Sequence, residues 1–91
     1  MGIELDHIIL AVNDRAASID FCTGILGLIH DGDREPFSML RVTSSFVIQI
    51  APWGTTGGEH LAFAMSKAEF DAVYFFDPNK HLVEIRHYEL G

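Results

Sequence analysis

The sequence predicts an α+β fold built from two copies of a βαβββ module, the second of them incomplete. Three observations predict it. An acidic residue followed by histidine opens an apolar strand twice, at Asp6-His7 and at Glu59-His60, 53 residues apart. Two similar apolar segments, residues 47–50 and 82–85, close the copies at an offset of only 35 residues. Between the first opening and closing strands, a helix-like stretch is followed by further strands.

The first strand and the helix follow from local composition. Residues 5–12 are apolar apart from Asp6 and His7 and rich in Ile and Val, which is typical of a buried strand. Asn13 or Asp14 can cap a helix over residues 15–25, and Gly27 provides its stop. The apolar side of this helix is expected to cover the sheet.

Three further strands complete the first module, and the second module begins after a connector. The strands are predicted over residues 28–30, 37–42 and 46–51, separated by an Asp-Gly-Asp turn at 31–33 and by Thr-Ser-Ser at 43–45. A Gly-rich connector follows. We therefore expect one domain over residues 1–91, with module 1 over residues 1–52 and module 2 over residues 59–91.

The second module is shorter than the first. The two offsets differ, so at least 18 residues of the first pattern have no counterpart in the second. Only eight residues separate Met65 from Tyr74, too few for an ordinary helix and a strand. We infer a missing segment near residues 71–73. Either it was deleted from the chain, or it is disordered and the sequence joins the ordered pieces.

Composition limits the classes of partner. The chain has 91 residues, a formal charge of −7 and a sequence pI near 4.9, which argues against binding to a phosphate backbone. No apolar run reaches the roughly 18 to 20 residues of a membrane span, and no basic segment precedes an apolar signal core. A cytoplasmic protein is expected that binds neither nucleic acid nor membrane. The single Cys22 is interpreted as a packing residue, since no neighbouring base in the sequence would activate it.

Four polar residues occupy equivalent places in the two modules. His7 and His60 lie at the start of the opening strands, and Gln49 and Glu84 lie in the closing strands. A carboxylate among apolar neighbours needs a partner, because burying it alone costs several kcal/mol or more. Pseudo-symmetric packing of the modules would bring the four groups together. Two imidazoles, one carboxylate and one amide oxygen suit a divalent cation such as Zn, Ni, Co, Mn or Fe.

The alternative is that each of these side chains is only structural. A single strand histidine is more often hydrogen-bonded within the fold than bound to a metal, and recurrence in both modules is what favours the metal site. His30, His81 and His87 are expected to be structural or solvent-facing. The small or apolar residues that share these faces leave room for a substrate; the candidates are Ile9, Ala62, Ala64 and Tyr74.

At these motifs the chain resembles the vicinal-oxygen-chelate superfamily, which includes glyoxalase I, fosfomycin thiol transferases, extradiol dioxygenases and bleomycin-binding proteins. The likeness covers the entire chain, from the strand at 5–12 to Glu84. The resemblance implies a curled mixed sheet of paired modules around a divalent metal, often completed by a homodimer. It implies His7, His60 and Glu84 as metal ligands, with Gln49 at a fourth ligand position.

Several positions depart from particular members of that superfamily. Ala11 stands where bacterial glyoxalase I enzymes carry an arginine for glutathione, and Ile9 stands where the thiol transferases carry a threonine. Cys22 replaces the usual tyrosine of the helix motif. The changes at Ala11 and Ile9 argue against glutathione and fosfomycin as substrates. The presence of all four candidate ligands argues against the bleomycin-binding class, whose members lack them.

The leading functional hypothesis is a metal-dependent, glyoxalase-like enzyme that chelates vicinal oxygens of a small substrate. Glu84 and Gln49 would be catalytic, shifting during proton transfer in the enediolate chemistry of a lyase or isomerase. The first alternative is an extradiol dioxygenase, which needs only His7, His60 and Glu84 with iron. The second is a non-enzymatic protein that binds or confers resistance to a small hydrophobic compound.

Overall fold

The computed structural model describes residues 2–65 and 72–87. They fall into two compact units, Met1–Thr55 and Thr56–Gly91, called here the first and the second unit. The predicted missing segment near 71–73 falls partly on residues 66–71, which lie outside the described residues. The elements in chain order are β1 (His7–Ala11), α1 (Arg15–Gly24), β2 (Ile29–Arg34), β3 (Phe37–Thr43), β4 (Phe46–Ala51), β5 (His60–Met65), β6 (Ala72–Phe76) and β7 (Leu82–His87).

The first unit is the βαβββ module that the sequence predicts. Its four strands form one mixed sheet in the order β1-β4-β3-β2. β1 and β4 are parallel, and the other two pairs are antiparallel. The parallel pair requires a crossover connection, and the chain between β1 and β4 contains α1, β2 and β3. The opening and closing strands of the module are therefore direct neighbours.

Strand alternation divides the first sheet into a core face and an open face. Ladder partners share a face, so Leu10 with Ile50 and Leu40 with Ile48 lie on the same side. These four residues are buried, and α1 packs against β2, β3 and β4. Burial of each such side chain stabilises the fold by about 1.5–3 kcal/mol. The paired residues His7 and Val47 point to the opposite face.

The helix begins and ends where capping residues predict. The carboxylate of Asp14 accepts a hydrogen bond from the Ala17 amide at 3.1 Å, so Asp14, not Asn13, is the N-cap. Gly27 follows the helix with φ +71°, a left-handed conformation that favours glycine. Ser18 and Cys22, one turn apart, are the buried helix positions. Cys22 is thus a packing residue, as predicted.

The predicted turn at residues 31–33 is wrong. These residues lie inside β2, where the ladder to β3 shifts register between His30 and Asp33 and Gly32 has φ +82°. The glycine therefore marks a β-bulge. The turn follows at Glu35 and Pro36, joined by a cis peptide bond. A Gly between two aspartates favours either structure, and the pairing of β2 with β3 selects the bulge.

The second unit is the shorter module. Its strands form a sheet in the order β5-β7-β6, with β5 and β7 parallel and β6 and β7 antiparallel. β5, β7 and β6 correspond to β1, β4 and β3 of the first unit. Within the described residues, the second unit has no counterpart of α1 or β2, which agrees with the predicted incomplete module. No helix among the described residues is long and apolar enough to cross a membrane.

Candidate metal and substrate site

The ladder registers place the four predicted ligands at equivalent positions in the two units. In the first unit, His7 pairs with Val47, two residues before Gln49. In the second unit, His60 pairs with Leu82, two residues before Glu84. Both pairs of strands are parallel, so each histidine lies diagonally across from its polar partner on the same face. The repeat seen in the sequence is thus also a repeat of backbone pairing.

His7 is oriented by the acidic residue that precedes it. Its Nδ1 lies 2.7 Å from Oδ2 of Asp6, and both side chains are accessible to solvent. An ionised carboxylate only accepts hydrogen bonds, so a neutral His7 imidazole carries its proton on Nδ1 and has its Nε2 lone pair available. Metal-binding histidines in proteins show this same pattern, with the second nitrogen bonded to a carboxylate.

A polar cavity of about 470 Å³ lies in the first unit and contains both of its predicted ligands. This volume is within the usual range for small-molecule sites. Its lining is mainly polar and charged and comes from β1 to β4 and the segments beside them. The lining residues are Glu4, Asp6, His7, Asp31, Arg34, Met39, Arg41, Ser44, Ser45, Val47 and Gln49.

His60 and Glu84 contact each other directly. His60 Nε2 lies 3.1 Å from Glu84 Oε1, and Arg86 Nη1 lies 3.7 Å from the other carboxylate oxygen. Glu84 is only 6% exposed, and a buried carboxylate was expected to need a partner. His60 and Arg86 are its partners. An ionised carboxylate only accepts hydrogen bonds, so His60 Nε2 donates in this contact, and it would have to release that proton in order to bind a metal.

The predicted pocket residues of the second unit flank Glu84. Ala62 pairs with Glu84 from β5 and Tyr74 pairs with it from β6, so the three side chains lie side by side on one face. Ala64 pairs with Arg86 on the same face. The three pocket candidates are exposed, Tyr74 to 58%. Ile9 of the first unit pairs with Gln49 and is 45% exposed, but it does not line the cavity.

A tight turn fixes the start of the strand that carries Glu84. Asp77 Oδ1 accepts hydrogen bonds from the amides of Asn79 and His81, each at 2.8 Å. His81 is 1% exposed, and its Nδ1 accepts a hydrogen bond from the Glu59 amide at 3.1 Å. Glu59 in turn accepts from the Leu82 amide through its carbonyl oxygen at 2.8 Å. His81 is therefore structural, and it ties together the starts of the strands that carry His60 and Glu84.

The donor atoms present fit a divalent cation. Two ligands about 2.0–2.2 Å from one metal, at angles between square and tetrahedral, lie roughly 3.0–3.4 Å apart. His60 Nε2 and Glu84 Oε1 are 3.1 Å apart as hydrogen-bonded partners, so a cation that replaced the shared proton would require little movement of either side chain. The free Nε2 of His7 and the amide oxygen of Gln49 are further suitable donors. Within residues 2–65 and 72–87, no three His, Cys, Asp or Glu side chains form a metal-binding group.

Two features of the site were not singled out from the sequence. Asp6 was noted only as part of a repeated motif, although acid-His followed by a strand was a sufficient signal for a carboxylate that orients the imidazole. Arg86 lies beside Glu84, and strand alternation places the two residues on the same face, two positions apart. Arg86 is not among the partners that were expected for the carboxylate from the sequence.

Comparison with solved structures identifies the fold. The chain is similar to "Oxidase ChaP-H1", with 24% identity, a TM-score of 0.83 and 99% of each chain covered. It is also similar to a lactoylglutathione lyase from Agrobacterium tumefaciens, with 13% identity, a TM-score of 0.77 and 96% of this chain and 95% of that chain covered. A possible glyoxalase from Bacillus cereus matches at 17% identity and a TM-score of 0.72, over 93% and 99% of the two chains.

These similarities confirm the fold that the sequence motifs predict. No family model matches the chain, and no curated protein matches it significantly. The chain has the glyoxalase-like fold that these structures share. At these identities the likeness establishes the fold and leaves the activity open.

Proposed function

We propose that the protein is a divalent-metal-dependent enzyme of glyoxalase-like type that acts on a small substrate with two vicinal oxygens. His7 Nε2, Gln49 Oε1, His60 Nε2 and Glu84 would hold the metal. One module supplies His7 and Gln49, and the other supplies His60 and Glu84. Zn, Ni, Co, Mn and Fe all suit this donor set.

The observation that carries the proposal is the shared register of the two modules. A histidine and an oxygen donor occur at the same ladder positions in both parallel strand pairs. A purely structural role would require two unrelated reasons for the same arrangement. Support also comes from Asp6, which leaves the Nε2 lone pair of His7 free. The fold shared with a lactoylglutathione lyase agrees with this proposal.

When bound, a divalent cation supplies Lewis-acid polarisation of two substrate oxygens, which stabilises developing negative charge. The protein residues orient the substrate and move its proton. Glu84 would accept a proton from a carbon beside the polarised oxygens, and its burial limits the positions that its carboxylate can take. Gln49 cannot accept a proton at neutral pH, and its amide N–H would hold a substrate oxygen. Ala62 and Tyr74 would enclose the apolar part of the substrate.

The metal content of a Glu84→Gln variant tests the proposal. The substitution preserves side-chain volume but removes the only carboxylate of the four groups, so bound metal should fall at least tenfold. Glu59→Gln is the matched control, since Glu59 is exposed and adjacent to His60 but is not a proposed ligand. Elemental analysis of both purified proteins gives the answer. Equal metal content in the two variants would refute the assignment.

We also propose that the working unit is a homodimer. Each module offers only two of the four donors, so a second module must complete a site. Exposed apolar residues such as Tyr74 and Phe76, 58% and 68% accessible, would be covered by a partner copy. Refolding a mixture of His7→Ala and Glu84→Ala chains should restore metal binding if sites form across chains. If each chain completes its own site, every site keeps one lesion and no binding returns.

A ring-cleaving dioxygenase is the second candidate. The similarity to a protein named an oxidase favours it, and so does the small Ala62 beside Glu84, which leaves space for a planar ring. His7, His60 and Glu84 would then hold Fe(II) as a facial triad. Oxygen consumption by the iron-loaded protein with catechol distinguishes the candidates, because the glyoxalase-like reaction consumes no oxygen.

A further inference from the structure

Two of the three arginines in the first unit form ion pairs with nearby carboxylates. Arg15 forms a two-pronged ion pair with Glu35, at 2.8 and 3.0 Å, and also donates to the Pro36 carbonyl at 2.7 Å. Arg41 donates to Asp31 at 2.9 Å and to the carbonyls of Thr43 and Ser44 at 3.1 and 3.2 Å. A guanidinium has five N–H donors, and each of these two arginines forms three hydrogen bonds to acceptors within the protein.

Arg34 is different. Within the described ranges, 2–65 and 72–87, its guanidinium makes no hydrogen bond or ion pair, and it lines the same cavity as His7 and Gln49. The bulge at Gly32 in β2 shifts the strand register just before Arg34, so this residue does not follow the simple alternation of its strand.

Two of the acidic lining residues have a partner in the cavity. Asp31 forms an ion pair with Arg41, whereas Asp6 hydrogen-bonds to His7, which as a neutral metal ligand leaves the charge of Asp6 uncompensated. Among the described residues, Glu4 and Arg34 are the charged lining residues that form no such contact. A negatively charged ligand group would be repelled by Glu4 and attracted by Arg34. Of these two residues, only Arg34 can donate hydrogen bonds to such a group.

We infer that the substrate of the proposed site carries a carboxylate in addition to its vicinal oxygens, and that Arg34 binds this carboxylate. The inference rests on the proposed function, since the vicinal oxygens are taken to bind the metal held by His7 and Gln49 with their partners. The planar guanidinium fork matches a carboxylate with two parallel hydrogen bonds. Arg34 is then a specificity-determining residue that selects acidic substrates over neutral analogues.

Two probes that differ by one carboxylate test the inference. Catechol and 3,4-dihydroxybenzoate share vicinal ring oxygens, and only the second has the acid group. Their dissociation constants are measured by calorimetry on the 91-residue chain loaded with Zn, for the wild type and for Arg34→Gln. The carboxylate also changes the acidity of the ring hydroxyls, so the informative quantity is the change in preference between the two proteins.

The wild type should prefer 3,4-dihydroxybenzoate by about five- to tenfold more than Arg34→Gln does, since a partly exposed charged hydrogen bond contributes about that much. Arg34→Lys should retain only part of the preference, because an ammonium lacks the fork. Arg15→Gln is the control: it removes the same charge from a residue outside the cavity lining and should leave the preference unchanged.

The outcomes separate this inference from the proposed function. If zinc is bound and Arg34→Gln keeps the wild-type preference, or Arg15→Gln loses it equally, the role of Arg34 is refuted and the metal site stands. If the wild-type chain binds no zinc or other divalent metal, the proposed function is refuted and the inference falls with it. Zinc content, measured on the same samples, tells the two failures apart.

Discussion

Gly57 and Gly58 offer a matched pair of substitutions that tests how the second unit is held together. Gly57 has φ +91° and Gly58 has φ +103°, both in the region that favours glycine. A Cβ added at Gly57 would lie 2.6 Å from the Lys80 carbonyl oxygen and 2.7 Å from that of Asn79. A Cβ added at Gly58 would meet nothing within 4 Å. Both positions favour glycine because of their positive φ, but only at Gly57 would a side chain also collide with the backbone of Asn79 and Lys80.

The expected cost follows from these distances. Either alanine places a side chain in an unfavourable backbone conformation, at roughly 1–2 kcal/mol. Gly57→Ala must in addition displace the backbone of Asn79 and Lys80, which cannot move aside like a flexible side chain. Overpacking of this kind costs about 1–3 kcal/mol. We therefore expect Gly57→Ala to lower the free energy of unfolding by about 1–3 kcal/mol more than Gly58→Ala.

Urea unfolding of the wild type and the two variants measures this difference. Amide hydrogen exchange adds a local test, because the Leu82 amide donates to Glu59 directly beside the displaced backbone. This amide should lose more protection in Gly57→Ala than in Gly58→Ala. If the two variants are equally destabilised, the close packing of residue 57 against residues 79–80 does not contribute to stability, and the reasoning is wrong.

Two further predictions concern the first unit. Asp6→Asn should weaken metal binding by about 10- to 100-fold, because His7 loses the carboxylate on its Nδ1; a competing chelator measures the affinity, and Glu4→Gln, which changes a cavity charge without touching His7, should have a much smaller effect. Arg15 lowers the pKa of Glu35 chiefly through their hydrogen bond, so Arg15→Gln should raise that pKa in an NMR titration. A folded-state pKa below the unfolded value stabilises the fold at higher pH, and this contribution is lost as pH falls through the folded pKa. An unchanged Glu35 titration would contradict the ion pair.

The sequence alone predicted the module and most of its elements. Helix α1 was predicted because Asp14 and Gly27 are strong local start and stop signals, and local signals depend little on the rest of the chain. Strands β3 and β4 were placed from their apolar patterns to within a residue at each end. The repeat of acid-His strands predicted that His7 and His60 are equivalent, which the ladder registers confirm.

Other features depended on contacts between segments that are distant in the sequence. The Asp-Gly-Asp segment became a bulge because pairing with β3 continues through it, and no local rule separates that outcome from a turn. Arg15, Arg34 and Arg41 look alike in the sequence. Only tertiary structure shows that Arg15 and Arg41 are bound to carboxylates, while Arg34 lines the cavity without an ion-pair partner in the part of the chain that is described. The order of residues along a strand determines which side chains share a face. The partner of each charged side chain is decided by the tertiary structure, because ion pairs form wherever folding brings opposite charges close together.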